Sequence, residues 1–175
     1  MTEQTVKFIK DELGERAYEE LQLAQDSFEF GKKHLAKKPD MTQVQLASSA
    51  CAQRRILEKF VAYVCADLGG KYNGEDSDLF DTLKTLNKKK DISDDVFHYA
   101  NQVRKIGNKG AHGTDLSPDE CNSGLQALDN MIQTYMSTHK AHKKKKHTLL
   151  KVLIAVIVIA AIVVAAYFLI TTYLL

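Results

Sequence analysis

Over the first 138 residues apolar side chains recur every three or four positions, and no strand-length run alternates. That period is helical. Residues 4 to 37 place Val6, Phe8, Ile9, Leu13, Tyr18, Leu21, Ala24, Phe28 and Leu35 at helical spacing, predicting one or two amphipathic helices with Gly14 and Gly31 as irregularities. Lys37-Lys38-Pro39 ends this section, because proline disfavours helical geometry in the residue before it. A second helix is expected after Asp40, with Gln43 completing a capping box, and runs to about Leu68. Its inward stripe is Ala47, Ala50, Cys51, Leu57, Val61, Val64, Cys65 and Leu68, and Gly69-Gly70 stops it. After a polar loop, Asp78 to Asn87 reads as a short helix with Leu79, Phe80, Leu83 and Leu86 inward. Ser93 is placed to cap a helix from Asp94 to about His112. Ser117, Pro118 and Glu120 supply the cap, first-turn proline and box residue of a last helix carrying Leu125, Leu128, Met131, Ile132 and Tyr135. The fold class is all-α, a bundle of five or six helices.

The pattern then changes. Val152 to Leu175 form 24 residues without a charge, mostly Val, Ile, Leu and Ala. As a helix they would extend ~36 Å, enough for a hydrocarbon core of about 30 Å. A single C-terminal transmembrane helix is therefore predicted. Lys140, Lys143, Lys144, Lys145, Lys146 and Lys151 precede it and no charge follows. The positive-inside rule then keeps residues 1 to about 147 in the cytoplasm, on the inner membrane in a bacterium. Met1 to Arg16 is charged throughout and lacks the apolar core of a signal peptide. Within the span only Tyr167, Thr171, Thr172 and Tyr173 are polar, which suits an anchor and not a water-filled pore. The implied division is an N-terminal helical segment at 1–38, a helical domain at 40–138, a basic stem at 139–151 and the anchor at 152–175. The lysine flank is a topogenic signal or a contact for anionic lipid or RNA.

Charge refines this picture. The formal +2 hides a head with 18 basic and 22 acidic side chains over residues 1 to 138, and six lysines beyond it. A mildly acidic head argues against a nucleic-acid surface over the whole domain. Cys51, Cys65 and Cys121 lack metal-ligand spacing, and the chain contains no CxxC, HExxH, Walker-type or GxSxG motif. Neither a cofactor nor a small-molecule substrate is indicated.

One stretch carries candidate chemistry. On a helix, Arg104, Asn108 and His112 are four apart and share one stripe. A cation, an amide and an imidazole there would hold a phosphate and move a proton near neutral pH. The alternative is a polar seam closing a helix end. Gly107 and Gly110 each cost a helix ~1 kcal/mol, which points to close backbone packing or a bent end.

Two segments, 52–58 (Ala-Gln-Arg-Arg-Ile-Leu-Glu) and 103–112 (Val-Arg-Lys-Ile-Gly-Asn-Lys-Gly-Ala-His), resemble the signature helices of domain of unknown function 4145, over roughly residues 44 to 136. That family resembles a branch of the HEPN superfamily, all-α domains that include dimeric, metal-independent ribonucleases, and it occurs in bacteria beside phage-defence genes. The resemblance implies a homodimer with its two His-bearing helices face to face. The nuclease members carry Arg, a polar residue and, four beyond that, His. Asn108 and His112 fit the last two, but Gly107 stands at the arginine position. Arg104 would substitute only if the helix bends. Arg54 or Arg55 with Glu58 would brace the cleft, or Arg54 and Glu58 form an ordinary surface pair four residues apart. Three functions remain open: a tail-anchored binding or sensing module for a protein or RNA partner, a membrane-anchored ribonuclease toxin, and a membrane-perturbing effector.

Overall fold

In the computed structural model, which describes residues 1–72 and 76–139, every regular element among the described residues is helical. Helix α1 (Glu3–Phe8) runs into a π-helical turn (Ile9–Leu13). Then come α2 (Glu15–His34), α3 (Pro39–Asp67), α4 (Asp76–Lys88) and α5 (Asp94–Ala111). A sixth helix, α6, occupies residues 118–139. The chain divides into two units, Met1–Tyr135 and Met136–Leu175, and the packing below is that of the first. Among the described residues no helix is long and apolar enough to cross a membrane. The predicted span at 152–175 and its flank, Lys143, Lys144, Lys145, Lys146 and Lys151, lie outside the described residues.

Capping chemistry sets several boundaries. Ser93 Oγ accepts from the Val96 amide at 3.3 Å and starts α5. Ser117 and Glu120 form the reciprocal box, with bonds of 3.1 and 3.0 Å, that starts α6. Gly69 (φ 76°) ends α3 by letting the Gly70 amide reach back to the Cys65 carbonyl at 2.8 Å. The break between α1 and α2 falls at Gly14, whose φ of 90° an L side chain would resist. Gly31, expected to be irregular, is instead a buried residue inside α2.

Two expectations need correction. Helix α3 begins at Pro39, a residue suited to the first helical position, where no amide hydrogen is needed. Gln43 therefore closes no capping box. Its amide exchanges two bonds, of 3.1 and 3.0 Å, with the backbone of Leu116 and pins the α5–α6 connection to α3.

Helices α2 and α5 both pack along α3, and α4 packs on α5 and α3. Because neighbours cover α3 on several sides, its buried set is wider than one stripe. It includes Leu46, Ile56 and Phe60 beside the expected Ala50, Leu57, Val61, Val64 and Cys65, while Leu68 and, on the turn after α2, Leu35 stay exposed. Each fully buried side chain of this size contributes roughly 1.5–3 kcal/mol. Phe60 meets Tyr135 edge-on at 5.0 Å, and Phe8 meets Tyr63 at 5.5 Å, joining α1, α3 and α6.

Cys121 of α6 is fully buried, and its thiol donates to the Leu46 carbonyl at 3.4 Å. Burial pushes that thiol up to about 12 and raises Cys65 as well. Cys51 is only half-buried. Iodoacetamide should therefore modify Cys51 first in the folded protein, and Cys121 only on unfolding, as read by mass spectrometry. Fast labelling of Cys121 under native conditions would contradict the seating of α6.

Candidate functional site

The site is the crossing of the two signature segments, 52–58 on α3 and 103–112 on α5. These helices lie unusually close because α5 offers glycine where they touch. A Cβ on Gly110 would come within 2.9 Å of the Ala47 carbonyl oxygen and of Ala50 Cβ. One on Gly107 would come within 2.4 Å of Arg54 Cβ. Close backbone packing is thus the role of both glycines, and α5 is continuous from Asp94 to Ala111.

Arg54 fills the space beside Gly107. It is only 8% exposed, which replaces the expectation of an ordinary surface pair. Its Nε donates to Glu58 Oε1 at 3.2 Å and its Nη1 to Asn108 Oδ1 at 2.9 Å. A guanidinium in a partly dry seam needs such partners, since burying a charge without them costs several kcal/mol. Arg55, the next residue, is exposed and donates to Glu20 at 2.7 Å.

Gln53 is buried on the other side of α3. Its Nε2 donates to Ser49 Oγ at 3.2 Å and to the Cys121 carbonyl at 3.1 Å. Ser49 Oγ in turn donates to the Ala24 carbonyl at 2.7 Å, which extends the chain of bonds to α2. The Gln53 Oε1 lies where a Cβ on Gly124 would collide with it. Two large polar residues in sequence, Gln53 and Arg54, are each faced by a helical glycine, one from α6 and one from α5. The sequence reading missed this. Its signal was present as glycines inside helices, which have a propensity cost and so need a packing reason.

The three residues of the α5 stripe go to different settings. The Arg104 guanidinium lies 4.8 Å from the centre of the Phe80 ring on α4, and its Nε and Nη2 donate to Asn101 Oδ1 at 3.1 and 3.0 Å. Desolvation, then the charge of Arg54, lowers its affinity for a proton. Asn108 accepts from Arg54. His112 is the exposed C-cap of α5, its backbone amide donating to the Asn108 carbonyl at 3.0 Å. Eight residues of helix separate Arg104 from His112, about 12 Å of rise. Their side-chain partners do not converge on one point. Among the described residues no cluster of three His, Cys, Asp or Glu side chains is arranged to hold a metal.

No curated protein and no solved structure matches this chain. The two segments that meet here nevertheless lie within a family match spanning residues 40–167, most of the chain's length, and the protein belongs to the family described as Domain of unknown function (DUF4145).

Proposed function

We propose that the protein is a tail-anchored membrane protein whose cytoplasmic, HEPN-like head is a binding or sensing module in bacterial defence or stress. The single observation that favours binding over cleavage is the commitment of Asn108 to Arg54, on a helix whose arginine position is Gly107. A ribonuclease of the HEPN type needs a cation on the scissile phosphate beside a histidine that moves the 2′-hydroxyl proton. Here Arg54 is held by Glu58 and Asn108, and Arg104 lies against Phe80. The anchor is supported by the 24 uncharged residues at 152–175 behind a lysine run. The defence setting is supported by the likeness of the two segments to domain of unknown function 4145, a homodimer by that family's resemblance to HEPN domains, and the proposed partner is a protein or an RNA that is held and not cut.

The test is RNA integrity in cells making the full-length chain, His112→Ala or Arg104→Ala at matched levels, with membrane flotation of each. The expected result is intact RNA in all three, with the protein in the membrane fraction. Fragmentation that disappears with His112→Ala would replace this reading with the anchored ribonuclease. Toxicity that survives His112→Ala and is lost on deleting residues 149–175 would replace it with the membrane-perturbing effector.

A further inference from the structure

We propose that the turn between α2 and α3 is a second membrane contact of the head, seated on anionic lipid of the bilayer that holds its own anchor. The inference rests on the tail-anchor reading. Lys32, Lys33, Lys37 and Lys38 are all exposed here, and Asp40 is the one acidic residue between positions 30 and 44. This is a cationic stretch of chain on an otherwise acidic head. Of the six exposed large apolar residues among those described, three belong to the same short stretch: Leu35, Met41 and Val44, the last 67% exposed.

Folding explains only part of this composition. Lys32 and Lys33 lie in the last turn of α2, where cations complement the helix dipole. Lys37 and Lys38 instead precede the start of α3, where the dipole favours negative charge. Lys38 occupies the N-cap position without a capping side-chain bond. Their backbone amides also close the last turn of α2 on the His34 carbonyl, so the dipoles of the two helices act on them in opposite senses. Exposed aliphatic side chains interspersed with lysines along the chain fit a lipid interface, where the apolar groups enter the acyl boundary and the amines extend to headgroup phosphates. Nucleic acid would favour arginine and aromatic side chains for base and phosphate contacts, and this turn exposes Leu, Met and Val.

Position adds a reason. Tyr135, where the first unit ends, packs on Phe60 and Tyr63. Met41 precedes Phe60 by nineteen residues on the same helix, about 28 Å. A lipid contact at the start of α3 is thus a surface of the first unit distinct from the Phe60–Tyr63–Tyr135 cluster. Tethering makes a weak contact sufficient, because a linked surface is present at millimolar effective concentration.

The chain has no tryptophan, so Val44→Trp creates a single reporter at an exposed site. The full-length variant is reconstituted into vesicles of phosphatidylcholine alone or with phosphatidylglycerol, and flotation and tryptophan emission are read together. The expected result is equal flotation with both lipids, and a blue-shifted, quencher-protected emission only with phosphatidylglycerol. Adding Lys32→Gln, Lys33→Gln, Lys37→Gln and Lys38→Gln should weaken that protection tenfold or more, given the usual attraction of a lysine to an anionic surface. Equal flotation with a water-exposed tryptophan in both vesicles would overturn the contact and leave the patch to a soluble protein partner. A shift that ignores the four lysines would overturn its electrostatic basis. Failure to float in either vesicle would overturn the anchor itself and the contact with it.

Discussion

Gly107→Arg, the substitution that would restore the arginine of the nuclease pattern, is expected to destabilise the head by about 3 kcal/mol and to create no ribonuclease. The added Cβ alone would come within 2.4 Å of Arg54 Cβ. That atom is the root of a side chain held by Glu58 and Asn108, so it has no free end to move aside. Replacing a helical glycine normally gains up to ~1 kcal/mol of propensity, and the steric cost must exceed this before any loss appears. A second guanidinium would also be forced beside the first. For a domain of this size the loss should lower the melting temperature by roughly 10 °C, measured by circular dichroism. Lys105→Arg, at an exposed neighbour on α5, should leave it unchanged. An unaltered melting temperature for Gly107→Arg would mean that α3 and α5 are not this close in solution.

The contrast between Gly107 and the rest of the chain shows what periodicity can and cannot reveal. Helix ends were legible where side chains cap locally, at Ser93 and at Ser117 with Glu120, since those bonds join residues three apart in sequence. Gln43 misleads for the complementary reason. It has the right spacing for a local cap, but its bonds go to Leu116, 73 residues away. A single inward stripe is too narrow for α3, because a stripe presumes a broad solvent face and α3 has neighbours on several sides. The burial of Arg54 and Gln53 is the least legible feature of the sequence. A polar residue on a helix reads as surface until a glycine on another helix makes room for it, and spacing along one helix carries no information about that. The stripe of Arg104, Asn108 and His112 is real as a helical face. Its members are separated by what α3 and α4 offer each of them, Asn108 being drawn to Arg54 and Arg104 to Phe80.

That separation can be measured at Arg54. Arg54→Ala should cost about 2 kcal/mol, less than the loss of one member of a fully buried ion pair, because Glu58 keeps 25% of its side chain exposed to water. Asn108→Ala should cost about 1 kcal/mol, the usual worth of a bond to a charged group less some relief by water at a half-buried site. If the 2.9 Å bond is the main tie between them, the double variant should fall short of the summed losses by roughly 1 kcal/mol in chemical denaturation. Arg54→Lys should not rescue stability, because one ammonium cannot reproduce the two-point hold that Nε and Nη1 have on Glu58 and Asn108. Strictly additive losses would carry a functional consequence. They would mean that Asn108 is not committed to Arg54 in solution and is available beside His112, one turn further along α5. The site would then regain the polar pair of a ribonuclease, with Arg54 the nearest cation to a bound phosphate. Coupling of the expected size leaves Asn108 occupied inside the fold and His112 without the partner that cleavage requires.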